Sequence, residues 1–381
     1  MKTRAFSTAE APPRQIVPTG PHGLAVRSAA LVRRGLRDLA RQSNWIVKKV
    51  FEGQVANAAV SPDGQVCALS SQAHSGAQRV TLFDVERSVP AMTLTAPGEF
   101  THCSVNLPSR FAWSPDARYL VGACGAWPKA IQAFDLHGKQ FLGAFADFAD
   151  APADIAWSPD GRSLAVSSLT LAPELQVWRL SPGKAGRDAA PFDPALNLSA
   201  PDWMERQGTE ADSNEAGTFS GYGKLAFSPS ADLLAAVVEI KGEWADDSLA
   251  LLDAHSLDRR ALFSAQGHVT ALAWSHDSSR LIYCSGGQAY AIDPASSEPA
   301  SLPFGAEMCA WHPHMPVCLF FSSWLKNSAK GRLFLADMNR VHVFDEHPAE
   351  GVLDLRWSAD GAKAYAVTAD GLVYVYEPEL L

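Results

Sequence analysis

His312 and His314 bracket a proline in CAWHPHM (309–315), and two imidazoles at i, i+2 could share a zinc ion if a third ligand joined them. No acidic or Cys partner is set beside them in that turn. The pair also stands where a repeated phrase of the chain has Ser and Asp, so the expected reading is a surface turn without metal. Nucleophilic chemistry is no better supplied: GTFSGYG (217–223) misplaces the glycines of a Gly-x-Ser-x-Gly elbow and lacks its strand-turn-helix setting. The six cysteines (67, 103, 124, 284, 309, 318) form no Cys-x-x-Cys, and most fall on predicted strands, where Cys acts as a small hydrophobe. Eleven histidines recur at no shared axial position that would line a channel with metal, and there is no Gly-rich phosphate loop. The expectation is no catalytic residue, no metal site and no cofactor.

The remaining chemically distinctive residues suit contact rather than catalysis. Trp127 (GAWPK), Trp203, Trp244 (KGEWADD) and Trp324 (SSWLKN) lie in segments without core-facing periodicity. Tryptophan is enriched among the residues that anchor interfaces. A second group is basic. From Leu24 to Gln42, at 100° per residue, Leu24, Ala25, Ala29, Val32, Leu36 and Leu39 fall within one arc of about 140°, while Arg27, Arg33, Arg34, Arg37 and Arg41 take the opposite arc. This predicts a basic amphipathic helix at 24–42. Its apolar face could dock on the protein's own surface, in a partner's groove, or on an anionic membrane surface.

The elements that must position these residues come from a repeat. The copies are AAVSPDG (58–64), FAWSPDA (111–117), IAWSPDG (155–161), LAFSPSA (225–231), LAWSHDS (272–278), CAWHPHM (309–315) and LRWSADG (355–361). Their Ser positions are 61, 114, 158, 228, 275, 312 and 358, so five intervals lie between 37 and 53 residues, and the sixth, 70, holds an insertion at about 181–222. A strand-based period near 40–45 indicates a β-propeller. Within a repeat, one strand runs into the Ser-Pro-Asp-Gly turn, where Pro fixes φ and Gly can take φ > 0. A second strand of small and β-branched residues follows, then a third ending in an acid, as in VTLFD (80–84) and IQAFD (131–135), then a more polar fourth. The repeat aromatics Trp113, Trp157, Phe227, Trp274, Trp311 and Trp357 are expected to fill the seams between blades.

These phrases resemble the WD-repeat family over roughly residues 44–377. The family pattern is Gly-His, about thirty residues, then Trp-Asp closing the third strand. Gly267-His268 matches the first element; Phe-Asp, Ile-Asp, Leu-Asp and Ala-Asp stand in place of the second. The resemblance implies a buried Ser/Thr–His–Asp–Trp network that this chain mostly lacks, so packing is expected to replace it. It also implies that the loops carrying Trp127, Trp203, Trp244 and Trp324 share one face.

The fold expected is all-β, a seven-bladed β-propeller of four-stranded antiparallel blades with an N-terminal helical extension. The organisation is 1–43 as extension, its first 23 residues Pro-, Ser- and Ala-rich, and 44–381 as propeller. The last repeat supplies only three strands before the chain stops, so residues 45–52 (WIVKKVFE) should add the fourth and close the ring. A chain 47% apolar and 19% charged can bury one large core, and a net charge of −9 argues against a general nucleic-acid binder. No run approaches eighteen apolar residues and no signal-type apolar core follows Arg33-Arg34, so a cytoplasmic protein with no transmembrane segment is expected. The function expected is a non-enzymatic scaffold for protein partners, with peripheral membrane contact through 24–42 as an additional role. The alternative is an enzyme or small-ligand binder using the central channel. Partner-binding candidates are Trp127, Trp203, Trp244, Trp324, Arg33, Arg34, Arg37 and Arg41.

Overall fold

Each repeated phrase forms the inner strand of one sheet and the turn that follows it. The computed structural model describes residues 45–71, 79–94, 110–123, 131–145, 148, 152–169, 173–181, 192–199, 218–241, 246–296, 298–323, 331–337, 341–343 and 351–377. Among them all regular structure is strand, arranged as seven four-stranded antiparallel sheets. Blade one holds β2 (Val55–Val60), β3 (Val66–Ser71), β4 (Arg79–Asp84) and β5 (Val89–Leu94). Blade two holds β6 (Phe111–Trp113), β7 (Tyr119–Ala123), β8 (Ile131–Asp135) and β9 (Gln140–Phe145). Blade three holds β10 (Pro152–Trp157), β11 (Ser163–Ser168), β12 (Leu175–Leu180) and β13 (Phe192–Leu198). Blade four holds β14 (Thr218–Phe227), β15 (Leu233–Lys241), β16 (Ser248–Asp253) and β17 (Arg259–Ser264). Blade five holds β18 (Val269–Trp274), β19 (Leu281–Ser285), β20 (Gln288–Ile292) and β21 (Ala300–Ser301). Blade six holds β22 (Met308–Trp311), β23 (Cys318–Ser322), β24 (Arg332–Ala336) and β25 (Val341–Val343). Blade seven holds β26 (Val352–Trp357), β27 (Ala364–Thr368) and β28 (Leu372–Tyr376), completed by β1 (Trp45–Lys49).

The closing strand is where the strand count put it. Trp45 pairs with Tyr376 and Lys49 with Leu372, so the first strand in sequence covers the outer edge of the last blade. Just after it, Val50 and Phe51 both donate their N–H groups to the Gly371 carbonyl, and Val50 is buried against the first blade's core. Of the stretch 181–222, residues 192–198 are the outer strand of blade three and 218–222 already belong to β14. The helix expected at 24–42 lies outside the described residues.

The turn after each inner strand is built from its own side chains. Ser61 donates its hydroxyl to Asp63 and accepts the Val66 N–H, while Asp63 also accepts the Gln65 N–H. The same device recurs at Ser114–Asp116, Ser158–Asp160, Ser275–Asp277 and Ser358–Asp360. These serines are buried, which a hydroxyl tolerates because both of its roles are filled. The acids ending the third strands cap the next turn: Asp84 accepts the Arg87 N–H, Asp135 the Gly138 N–H and Asp253 the His255 N–H. Asp135 also takes the Arg118 guanidinium at 2.8 Å.

Packing does not act alone between blades, as the missing family network had suggested. Indole N–H groups cross four seams to a backbone carbonyl of the preceding inner strand: Trp113 to Ala59, Trp157 to Ala112, Trp274 to Ala226 and Trp357 to Ala310, at 2.9–3.2 Å. Each acceptor is the residue just before the repeat aromatic of its own blade, or before Val60 in blade one, and Ala there leaves room for the indole. Where the incoming residue cannot donate, a carboxylate takes over. Phe227 and Val60 have no N–H on their side chains, and at those seams Asp154 accepts the Leu225 N–H (3.0 Å) and Asp354 the Val60 N–H (2.9 Å). Between blades five and six, Thr270 donates to the Glu307 carbonyl at 2.6 Å. Every seam thus has a hydrogen bond between an inner strand and the neighbouring blade, each contributing about 1 kcal/mol.

Candidate binding face and central channel

Antiparallel blades send their connections to two faces. The Ser-Pro-Asp-Gly turns and the turns between third and fourth strands leave from one face. Connections between second and third strands, and between one blade and the next, leave from the other. Trp127 lies between β7 and β8, Trp203 between β13 and β14, Trp244 between β15 and β16, and Trp324 between β23 and β24. The strand ends flanking all four belong to that second face. The four tryptophans themselves lie outside the described residues, as do Arg33, Arg34, Arg37 and Arg41.

The described residues place other groups at this face, around the channel. Inner strands carry a bulge before the residue three positions ahead of the repeat aromatic, seen at Val55/Asn57, Pro152/Asp154, Val269/Ala271 and Val352/Asp354. A bulge re-aims the next side chain. The seven residues at that register are Asn57, Arg110, Asp154, Lys224, Ala271, Met308 and Asp354. Five are polar and two, in blades five and six, are apolar. A cavity of about 580 Å³ is lined by Asn57, Arg110, Lys224, Met308, Phe321 and Val352, with Ser323 and Gly351 from the connections of the second face. Sequence reasoning passed over this ring. Its signal was present: a polar residue at a constant distance before the end of the inner strand in five of the seven repeats.

Electrostatics divide the ring. Asp154 and Asp354 are engaged by the seam amides already described, and Asp354 also takes Arg356 at 2.9 and 3.2 Å. Burial lowers the Lys224 pKa below the ordinary lysine value; Asp154 and Glu239 oppose that shift and Arg110 adds to it. Burial likewise raises the Glu239 carboxyl, which packs where a Cβ on Gly223 would stand. At the rim, His268 approaches Asp247 at 2.9 Å, and Asp247 also accepts the Val269 N–H. That contact holds the imidazole pKa above its usual value, a single His–Asp pair at the Gly-His position.

On the opposite face, His312 and His314 are bound as structural groups, and one expectation is corrected. His312 is 4% exposed rather than on the surface, because the turn of blade seven covers it. Its Nε2 lies 3.1 Å from the Gly361 carbonyl, its Nδ1 accepts the N–H groups of His314 and Met315, and its ring packs on Trp357. His314 Nε2 reaches the Ala359 carbonyl at 3.1 Å. Among the described residues no three His, Cys, Asp or Glu side chains gather in a metal-holding group. The described cysteines, Cys67, Cys284, Cys309 and Cys318, are free and buried.

His312 makes acid stability predictable. A proton on Nδ1 would face two N–H donors, and burial pushes its pKa down to about 4 from 6.5. The neutral ring therefore contributes stability that is fully present above pH 6.5 and is lost as pH falls towards 4. Two and a half pH units correspond to at most on the order of 3 kcal/mol. His312→Ser, which restores the residue of the other turns, should flatten the melting temperature between pH 6.5 and 4. A decline as steep as that of the unaltered protein would contradict the assignment. Asp277, held down to about 2 chiefly by Ser275, acts only below that window.

Two segments, 259–290 and 338–377, match the family model described as WD domain, G-beta repeat. The first starts at β17 and ends in β20; the second ends just after β28, so each repeat unit takes its outer strand from one blade and three strands from the next. Among solved structures, the β-propeller domain of Myceliophteria thermophila Cps50 (Swd1) is 14% identical with a TM-score of 0.61, over 88% of this chain and 99% of that one. U3-55K is 14% identical with a TM-score of 0.59, over 88% and 98%. No curated protein matches the chain in sequence.

Proposed function

We propose that this chain, a seven-bladed propeller of the WD-repeat family, acts as a non-enzymatic scaffold for protein partners, as one subunit of a multiprotein assembly in the cytoplasm. The observation that carries this reading is topological. The connections bearing Trp127, Trp203, Trp244 and Trp324 leave from strand ends of a single face. A net charge of −9 favours protein over nucleic-acid partners, and the described thiols are all unpaired, as a reducing compartment would keep them. The basic segment 24–42, with Arg33, Arg34, Arg37 and Arg41, offers a second contact, to a partner or an anionic membrane surface.

The test compares four proteins for retention of co-purifying partners: the intact chain, Trp244→Ala/Trp324→Ala, Arg33→Glu/Arg37→Glu, and a chain lacking 200–217. Truncating an anchoring Trp typically costs about 2 kcal/mol or more, roughly thirtyfold in affinity. The tryptophan variant should lose partners while melting as the intact chain does. Normal capture with a lowered melting temperature would make these tryptophans packing residues and defeat the reading of that face.

A further inference from the structure

The channel ring contains more hydrogen-bond donors than the fold uses. Its carboxylates are employed: Asp154 and Asp354 take seam amides, and Glu307 accepts the Ser323 hydroxyl. Two of its donor groups are not: among the described residues, Asn57 Nδ2 and Arg110 Nε are buried without a hydrogen-bond partner, and neither contributes to any seam. Leaving a buried donor unmade costs on the order of 1–3 kcal/mol, more for a charged group. Lys224, in the same wall, carries its ammonium where water is largely withdrawn. Three donors from blades one, two and four therefore line one cavity, while Met308, Phe321 and Val352 from blades six and seven line it with apolar surface.

We infer that this cavity is a binding site for a small organic monocarboxylate, its carboxylate held by Asn57, Arg110 and Lys224 and its apolar body lying against Met308, Phe321 and Val352. Asp154, Asp354 and Glu307 already have hydrogen-bond partners, and Glu239, near Lys224, does not line the cavity, which leaves the acceptor to a ligand. A guanidinium, a primary amide and an ammonium are the donor types that suit a carboxylate. The volume, about 580 Å³, lies in the range of small-molecule pockets, with few polar groups fixing an otherwise apolar guest. Glu307, in the same lining, disfavours a second negative charge on the guest. The site opens on the face from which the tryptophan-bearing connections leave, but it uses none of those tryptophans and stands or falls without them.

Calorimetric titration of the full chain with benzoate, 3-phenylpropionate and octanoate tests this, with their neutral primary amides and inorganic phosphate as comparison probes. The expected result is saturable one-to-one binding of at least one acid and none of the amides. Affinity should drop about tenfold or more in Arg110→Met and in Lys224→Met, and stay unchanged in Lys363→Met on the opposite face. Lys224→Met, which removes a desolvated charge, should melt no lower than the parent, so lost binding in it is not lost folding. The inference is overturned if no acid saturates at up to about 10 mM. It is equally overturned if amides or phosphate bind as well as the acids, or if both ring variants bind unchanged.

Discussion

A chain truncated before residue 55 should fail to hold its ring, whereas one truncated before residue 44 should melt as the intact protein does. The shorter deletion leaves β1 in place. The longer removes five paired positions along β28, the two N–H contacts to Gly371, and the buried side chain of Val50 with the partly buried Phe51, packed near Phe83 and Val375. At about 1 kcal/mol per hydrogen bond and about 2 kcal/mol per buried side chain, the loss is on the order of 5 kcal/mol or more, comparable with the whole stability of many domains. It also leaves Leu372–Tyr376 as an open edge available to other chains. Thermal unfolding and light scattering of the two truncations check this. If they melt alike and stay monomeric, the terminal strand is not what closes the propeller.

Gly64→Ala should be far more damaging than Gly161→Ala, although both glycines occupy the same turn position. Their φ values are +71° and +68°, so each alanine incurs the left-handed penalty of roughly 1–2 kcal/mol. Their surroundings differ. A Cβ on Gly161 would meet only the Pro115 ring at 3.6 Å, an ordinary contact. One on Gly64 would stand 2.0 Å from the Tyr365 hydroxyl and 2.5 Å from the ring carbon bearing it. Tyr365 is 3% exposed in the seam between blades seven and one, so it has little space to retreat. The expected cost at Gly64 is about 3 kcal/mol or more, of the kind that overpacking produces. Denaturant unfolding of both variants, with Tyr365→Leu to complete a double-mutant cycle, measures it. Tyr365→Leu should recover most of the excess in Gly64→Ala; strictly additive losses would show that the seam contact is not responsible.

Much of this fold could be read because the repeat states its register seven times. Ser-Pro-Asp-Gly fixes a turn through groups that are all in the phrase, and alternation fixes which residues face a neighbouring blade. What escaped depends on a neighbour. His312 reads as a surface turn residue until the turn of blade seven is placed over it. Arg356 reads as a departure from the Ala at its repeat position. Beside Val60, which brings no indole, that position needs no small residue, and Arg356 instead steadies the Asp354 that holds the seam. The channel ring was hidden for a different reason. Asn57, Arg110 and Lys224 are unlike one another, and only their common distance from the repeat aromatic relates them. Trp127, Trp203, Trp244 and Trp324 are singled out by the opposite route, as residues with no periodic explanation, and lie outside the described residues.

Carboxyl footprinting of the assembled protein with a carbodiimide and a small amine tests the scaffold reading most directly. Asp246 and Asp370 are exposed on the face where the tryptophan-bearing connections leave, and Asp63, Asp116, Asp160, Asp277 and Asp360 are exposed on the other. Modification of Asp246 and Asp370 should fall severalfold in the partner-bound state relative to the free protein, while the five turn aspartates keep their free-state rates. Protection of the turn aspartates with Asp246 and Asp370 unchanged would put the partner on the opposite face and contradict the account.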